Sequence, residues 1–201
     1  MSHIRILFTS VFLLSVTFSW ADGLGLKSGV FDPPRMAPDF LLPSSLGSDF
    51  TLSSQRGKLV VLGFGFSQCT DVCPVTLANL AKARKQLGDA ANEMQVVYVT
   101  VDPANDNPQR LNEYLRVFDS SFVGISGTDA QLSKLRDEYG ILATKAVAKN
   151  GKAGYEVHHS SYVYLIDRSG RLRVLVPFGK SPEDIAHDVK ILLNEPAKAK
   201  K

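Results

Sequence analysis

The sequence predicts an α/β fold in which a mixed central sheet lies between layers of helices. Two observations carry this reading. Apolar runs of strand length alternate with segments of helical periodicity, which implies parallel strands joined by crossover helices. The last two strand-like runs are joined through Arg168-Ser169-Gly170, a hairpin signal, and a closing helix follows.

Lys58–Phe66 is apolar almost throughout, as suits a central strand buried on both faces. From Pro74 onward, Val75, Leu77, Leu80, Ala81, Ala83 and Leu87 share one side of a helix that Gly88 ends. Met94–Val101 is a second buried strand. Asn107 and Pro108 give an N-cap and a first-turn proline to a helix running to Phe118. Ser121–Ser126 is a short strand, and Thr128 with Gln131 forms a capping box for a helix ending at Gly140. Tyr155–Asp167 and Leu172–Phe178 are the hairpin strands, and Ser181-Pro182 opens a last helix to Leu193. This order is the thioredoxin-like arrangement, a three-layer fold with a mixed central sheet flanked by helices. Open sheets of this kind place their sites at the carboxyl ends of strands. Gln68-Cys69-Thr70-Asp71-Val72-Cys73-Pro74 falls at such an end.

With 201 residues, 44% of them hydrophobic, the chain can bury a core without help from a disulfide. The net charge is only +3 and no basic run interleaves with aromatics, which argues against a nucleic-acid partner. Residues 1–21 have the pattern of an export signal: a positive charge at Arg5, an apolar Ile6–Phe18, then Ser19-Trp20-Ala21 before Asp22. The apolar stretch falls short of the roughly 20 residues of a spanning helix, so cleavage is favoured over an uncleaved membrane anchor. No cysteine follows it, which argues against a lipid anchor. The expectation is an exported, periplasmic domain, or one anchored facing the periplasm, where thiols tend to be oxidised. Residues 22–36, rich in Gly and Pro, read as a linker, residues 37–195 as the domain and residues 196–201 as a disordered tail.

Cys69 and Cys73 are the chain's two cysteines, and three readings compete for them. A structural disulfide would close a loop of about five residues and contribute roughly 2 kcal/mol, which makes a weak staple. A thiol–disulfide centre gains from the helix N-terminus, which favours thiolate. The three intervening residues, against two in thioredoxins, leave the sulfurs on one side of a helical turn with room for an ion. A metal site would use two soft thiolates, suited to Cu(I) or Zn(II); zinc wants four ligands, while copper can be held by two thiolates and an imidazole. Of the four histidines, His3 lies in the signal and His187 beside charged residues of the last helix. His158 and His159 remain. On an extended segment they face opposite ways. Parity groups His159 with Val157, Ser161, Val163 and Leu165, and His158 with Tyr162 and Tyr164, without choosing between them.

Gly65-Phe66-Ser67-Gln68-Cys69-Thr70-Asp71-Val72-Cys73-Pro74 resembles the copper-site motif of the Sco (SenC) family, Cys-x-x-x-Cys-Pro after an aromatic strand end. Val101-Asp102-Pro103-Ala104-Asn105-Asp106-Asn107-Pro108 is similar to its second motif, and Val157-His158-His159-Ser160 to its Asp-His-Ser or Asp-His-Thr motif. Ala37-Pro38-Asp39-Phe40 fits the family's opening, and Gly57–Leu193 follows its order. Thr70 stands where the family usually has proline, and His158 where it has aspartate. The resemblance implies a copper-binding, thioredoxin-like protein in which Cys69, Cys73 and His159 hold one copper ion per chain, as Cu(I) or Cu(II). His158 is left as an auxiliary candidate. It further implies assembly of the dinuclear copper site of cytochrome c oxidase. The partners would be the copper-receiving oxidase subunit, and other copper chaperones or thiol reductants. The N-terminus offers membrane association. The alternatives are a thiol–disulfide oxidoreductase using the same cysteines, which would be the chain's enzyme activity, and a binding module that senses copper or redox state.

Around these residues, Asp71 is expected to cap the helix, Asp102 and Asp106 to organise a turn, and Tyr155, Tyr162 and Tyr164 to pack the sheet. Ala143–Gly154, with three lysines and two glycines, reads as a mobile loop before the histidines.

Overall fold

The structure is a computed structural model and describes residues 25–147 and 155–195. The signal at residues 1–21 and the tail at 196–201 lie outside the described residues. The chain runs β1 (Gly29–Met36), β2 (Leu41–Pro43), β3 (Asp49–Thr51), β4 (Leu59–Gly65), α1 (Val72–Leu87), β5 (Met94–Thr100), α2 (Pro108–Leu115), β6 (Val123–Ile125) and α3 (Asp129–Tyr139). It continues as β7 (Ala143–Val147), β8 (Tyr155–His159), β9 (Val163–Ile166), β10 (Arg171–Val176) and α4 (Pro182–Asn194).

Six strands form the central sheet in the order β1-β10-β9-β4-β5-β6. Strands β4, β5 and β6 are parallel, while β9, β10 and β1 add antiparallel ladders on the other side of β4. Every residue of β4 is buried, as a strand covered on both faces requires. Its side chains alternate between two cores. Leu59 and Val61 cluster with Leu77 and Leu80 of α1 and with Val189 and Leu192 of α4. Val60, Leu62 and Phe64 cluster with Leu132, Leu135 and Tyr139 of α3, beside Phe40 and Phe50. The architecture is the thioredoxin-like three-layer fold. Among the described residues no helix is long and apolar enough to cross a membrane.

The expected caps form. Asn107 accepts from the Arg110 amide, Thr128 and Gln131 close a capping box, and Ser181 accepts from the Asp184 amide. All three cap residues hold ψ between 153° and 169°, the extended conformation that lets the side chain reach back. Asp71 departs from its expectation. It sits at the N-cap of α1 with ψ at −85° and makes no cap hydrogen bond.

Three further expectations need correction. Gly29–Met36, read as linker, is the edge strand β1, paired with β10. It is exposed along almost its whole length, so no apolar alternation marks it. Its two prolines fall where the ladder shifts register between Val30 and Arg35, and an edge strand tolerates them there. The single strand expected over Tyr155–Asp167 breaks at Ser160-Ser161-Tyr162. β8 leaves the central sheet and pairs with β7, while β9 stays. Consequently the first five residues of the expected loop, Ala143–Val147, are a strand. The rest of that loop, residues 148–154, lies outside the described residues.

Candidate metal centre

Strand β4 ends at Gly65, and the next residues turn over the carboxyl edge of the sheet into α1. Asp106, fully buried, fastens this turn. Its Oδ2 accepts from the Ser67 amide at 2.9 Å and from Thr100 Oγ1 at 2.7 Å, and its Oδ1 accepts from Ser67 Oγ at 2.5 Å. The Ser126 hydroxyl donates to the Asp106 carbonyl at 2.6 Å. One residue thus ties together the ends of β4, β5 and β6. Asp102 and Asp106 do shape a turn, since the amides of Asn105 and Asp106 both donate to the Asp102 carbonyl. Their side chains reach well beyond it.

Cys73 lies in the first turn of α1, 2% exposed, and Cys69 is half-buried before the helix. Both thiols are free. The Sγ of Cys73 lies 3.3 Å from His159 Nε2. His159 Nδ1 is 2.8 Å from the Ser160 carbonyl, an oxygen that can only accept, so Nδ1 carries the proton. The Nε2 lone pair therefore faces Cys73, the tautomer a metal ligand needs. The Phe66 ring stands edge-on to the imidazole, with centroids 5.8 Å apart. Burial holds the His159 pKa below the usual histidine range, opposed in part by the Ser160 carbonyl. Burial also pushes the Cys73 thiol up to about 12. Among the described residues no three His, Cys, Asp or Glu side chains are closed up around a metal-sized position. Cys73 and His159 are in contact; Cys69 packs against the same cluster that holds Cys73.

His158 points away. It is on the opposite face of β8, its side chain is 67% exposed, and its nearest charge is Glu156 at 3.8 Å. His187 is exposed on α4, as expected. Tyr164 is buried and donates to the Tyr139 carbonyl. Tyr155 and Tyr162 are exposed, contrary to the packing role expected of them.

Tyr155 has another task. Its hydroxyl donates to Asp102 Oδ1 at 2.6 Å, and Lys145 Nζ reaches the same oxygen at 2.8 Å. Asn105 Nδ2 donates to Asp102 Oδ2 and to the Tyr155 hydroxyl. Burial alone would raise the Asp102 pKa, but the hydrogen bonds from Asn105, Lys145 and Tyr155 outweigh it and hold the carboxyl below its usual range. Tyr155 and Lys145 sit on β8 and β7, so this cluster fastens the histidine-bearing hairpin to the loop after β5. Tyr155→Phe should loosen it. Amide exchange in β7 and β8 should speed roughly fivefold, from about 1 kcal/mol for a half-exposed hydrogen bond to a charged group. Unchanged exchange there would show that Lys145 alone holds the hairpin.

The close packing of Gly65 against Tyr98 at the centre escapes sequence reasoning. A Cβ on Gly65 would lie 1.8 Å from the Tyr98 hydroxyl, 2.6 Å from Tyr98 Cζ and 2.8 Å from Cys73 Sγ. Only glycine lets these atoms close over the strand end. A glycine inside an apolar strand run is the one signal of such a close approach.

The fold is a thioredoxin-like domain in which Cys73 and His159 meet at the carboxyl edge of the central strand and Cys69 packs on the same cluster. The SCO1/SenC family model matches residues 30–194, and the chain belongs to that family. A SCO2-like protein of Rickettsia felis is 29% identical over 159 residues, covering 79% of this chain and 78% of that protein. The copper-bound structure of ScoI from Bradyrhizobium japonicum is 31% identical, covers 79% of this chain and 99% of its own, and superposes with a TM-score of 0.71. Copper-bound yeast Sco1 is 28% identical, with 83% and 92% coverage and a TM-score of 0.73.

Proposed function

We propose that this chain carries copper as cargo, one ion per chain, held by Cys69, Cys73 and His159, for assembly of the dinuclear copper site of cytochrome c oxidase. The observation that carries the reading is the Cys73–His159 contact, with Cys69 four residues before Cys73. Family relatives with copper bound support it. The donor set fits the cargo: thiolates are soft enough for Cu(I), and a neutral imidazole accommodates Cu(II). At neutral pH the buried Cys73 is a thiol, so copper binding must expel its proton. His159 is already neutral and gives none.

The half-buried Cys69 and His159 leave one side open to an incoming ligand, as delivery to an oxidase subunit requires. Other copper chaperones or thiol reductants would load or reset the site. The domain would act outside the cytoplasm, exported by residues 1–21 to the periplasm or held there on the membrane. Copper titration of the reduced protein tests the reading. One ion per chain is expected, lost when Cys69 and Cys73 are both changed to Ser. Full binding by that double variant would overturn it.

A further inference from the structure

The two halves of the metal site stand on different pieces of chain. The cysteines belong to the turn from β4 into α1, and His159 to the β7–β8 hairpin. Among the described residues that hairpin is a sheet of its own and pairs with no strand of the six-stranded sheet. At its base the Ser160 amide donates to the Leu142 carbonyl, which closes the hairpin but does not tie it to the body. Pairing sets Ala143 opposite His159 and Lys145 opposite Val157. By the two-residue period of a strand, Ala143, Lys145, Tyr155, Val157 and His159 share one face. Ala143 and Val157 pack on the core, His159 reaches Cys73, and Lys145 and Tyr155 meet Asp102. The ligand and the anchor therefore move as one piece.

Asp102 also reaches the other half of the site. Its carboxylate side chain is 2% exposed. Its amide donates to the Thr100 hydroxyl, which donates to Asp106, and Asp106 holds Ser67 in the cysteine turn. A continuous run of hydrogen bonds thus joins the thiol-bearing turn to the imidazole-bearing hairpin through the end of β5. We propose that Asp102 is a positioning residue for the copper site: by holding Lys145 and Tyr155 it sets the reach of His159 Nε2 to the ion, and so tunes Cu(II) binding against Cu(I) binding. The inference rests on the copper reading above. Asp106 places the thiols and Asp102 the imidazole. A freed hairpin lowers the local concentration of the imidazole at the ion. Cu(II) draws on that nitrogen, whereas two thiolates satisfy Cu(I).

Asp102→Ala in the full chain is the test, with both affinities measured by competition titration. It deletes the carboxylate and spares the amide and carbonyl that build the turn. Cu(II) binding should weaken about tenfold, the size of one lost hydrogen bond to a charged group, and Cu(I) binding should stay within about twofold. The Lys145→Met, Tyr155→Phe double variant removes the hairpin's side of the anchor and should show the same split; it decides the matter if Asp102→Ala fails to fold. In a His159→Ala background, Asp102→Ala should add nothing to the Cu(II) loss, because it acts through that imidazole. Equal losses of Cu(I) and Cu(II) affinity would make Asp102 a general structural residue and overturn the proposal. So would an undiminished effect in the His159→Ala background, or unchanged Cu(II) affinity in both variants. These outcomes leave the copper reading standing, whereas a parent chain that binds no copper overturns that reading and this proposal with it.

Discussion

Asp106→Ala should lower the unfolding free energy by about 3–5 kcal/mol, the largest stability loss expected of any single polar substitution at the site. The carboxylate is fully buried and accepts three hydrogen bonds, from the Ser67 amide, the Ser67 hydroxyl and the Thr100 hydroxyl. Removing it strands these donors, each at about 1–3 kcal/mol if it finds no substitute. Ser67 and Thr100 gain some relief by rotating, which keeps the total below the sum. Ser126 loses less, because it bonds the Asp106 carbonyl and not the side chain. Asp106→Asn keeps one acceptor oxygen but turns an amide donor toward other donors, so an intermediate loss is expected. Urea denaturation measures both variants. A change below about 1 kcal/mol for Ala would show that the knot is not holding the turn. The same variant should weaken copper binding, since Ser67 lies two residues before Cys69. Freeing Ser67 lets the cysteine loop sample positions from which both sulfurs cannot reach one ion. Stability and site are therefore coupled through one carboxylate.

Why some of this was readable in the chain and some not follows from where the signal is local. Strands β4 and β5 are buried on both faces, so their composition announces them. The caps at Asn107, Thr128 and Ser181 act within three residues, and each forms as read. β1 and the β7–β8 hairpin are mostly exposed, and an exposed strand has no apolar period to detect. The cysteines were found by spacing alone. Parity could not choose a histidine, because it assumed a continuous strand through Ser160-Ser161-Tyr162, where the chain changes sheets. The register that matters sets His158 and His159 against Thr144 and Ala143 of β7, residues outside the stretch that parity considered. Asp106 and Tyr98 read as a turn residue and a core residue. Their polar atoms acquire meaning only when separate strand ends are brought together.

His159→Ala should weaken Cu(II) binding by about a hundredfold or more, and Cu(I) binding by less than about tenfold. Two thiolates alone satisfy Cu(I), a soft ion, whereas Cu(II) draws on the nitrogen. His159 is placed for this: Nε2 is 3.3 Å from Cys73 Sγ, and Nδ1–H is held by the Ser160 carbonyl. His158→Ala should leave both affinities within about twofold, because its side chain faces solvent and Glu156. The pH dependence has two sources. With the folded pKa of His159 held below 6.5 by burial, protons compete with copper at this nitrogen only below 6.5; above that the pH dependence of binding comes from the Cys73 proton that copper must expel, so affinity should fall as the pH falls even where His159 stays neutral. For the metal-free protein the sign is the same. The unfolded chain takes up the imidazole proton first, near 6.5, so His159 costs stability as the pH falls from there through its folded pKa. Competition titrations of the two single variants and the double variant decide the ligand. Equal losses from His158→Ala and His159→Ala would give His158 a share in the site. Full Cu(II) affinity in the double variant would remove the imidazole from the centre and leave a two-thiolate site.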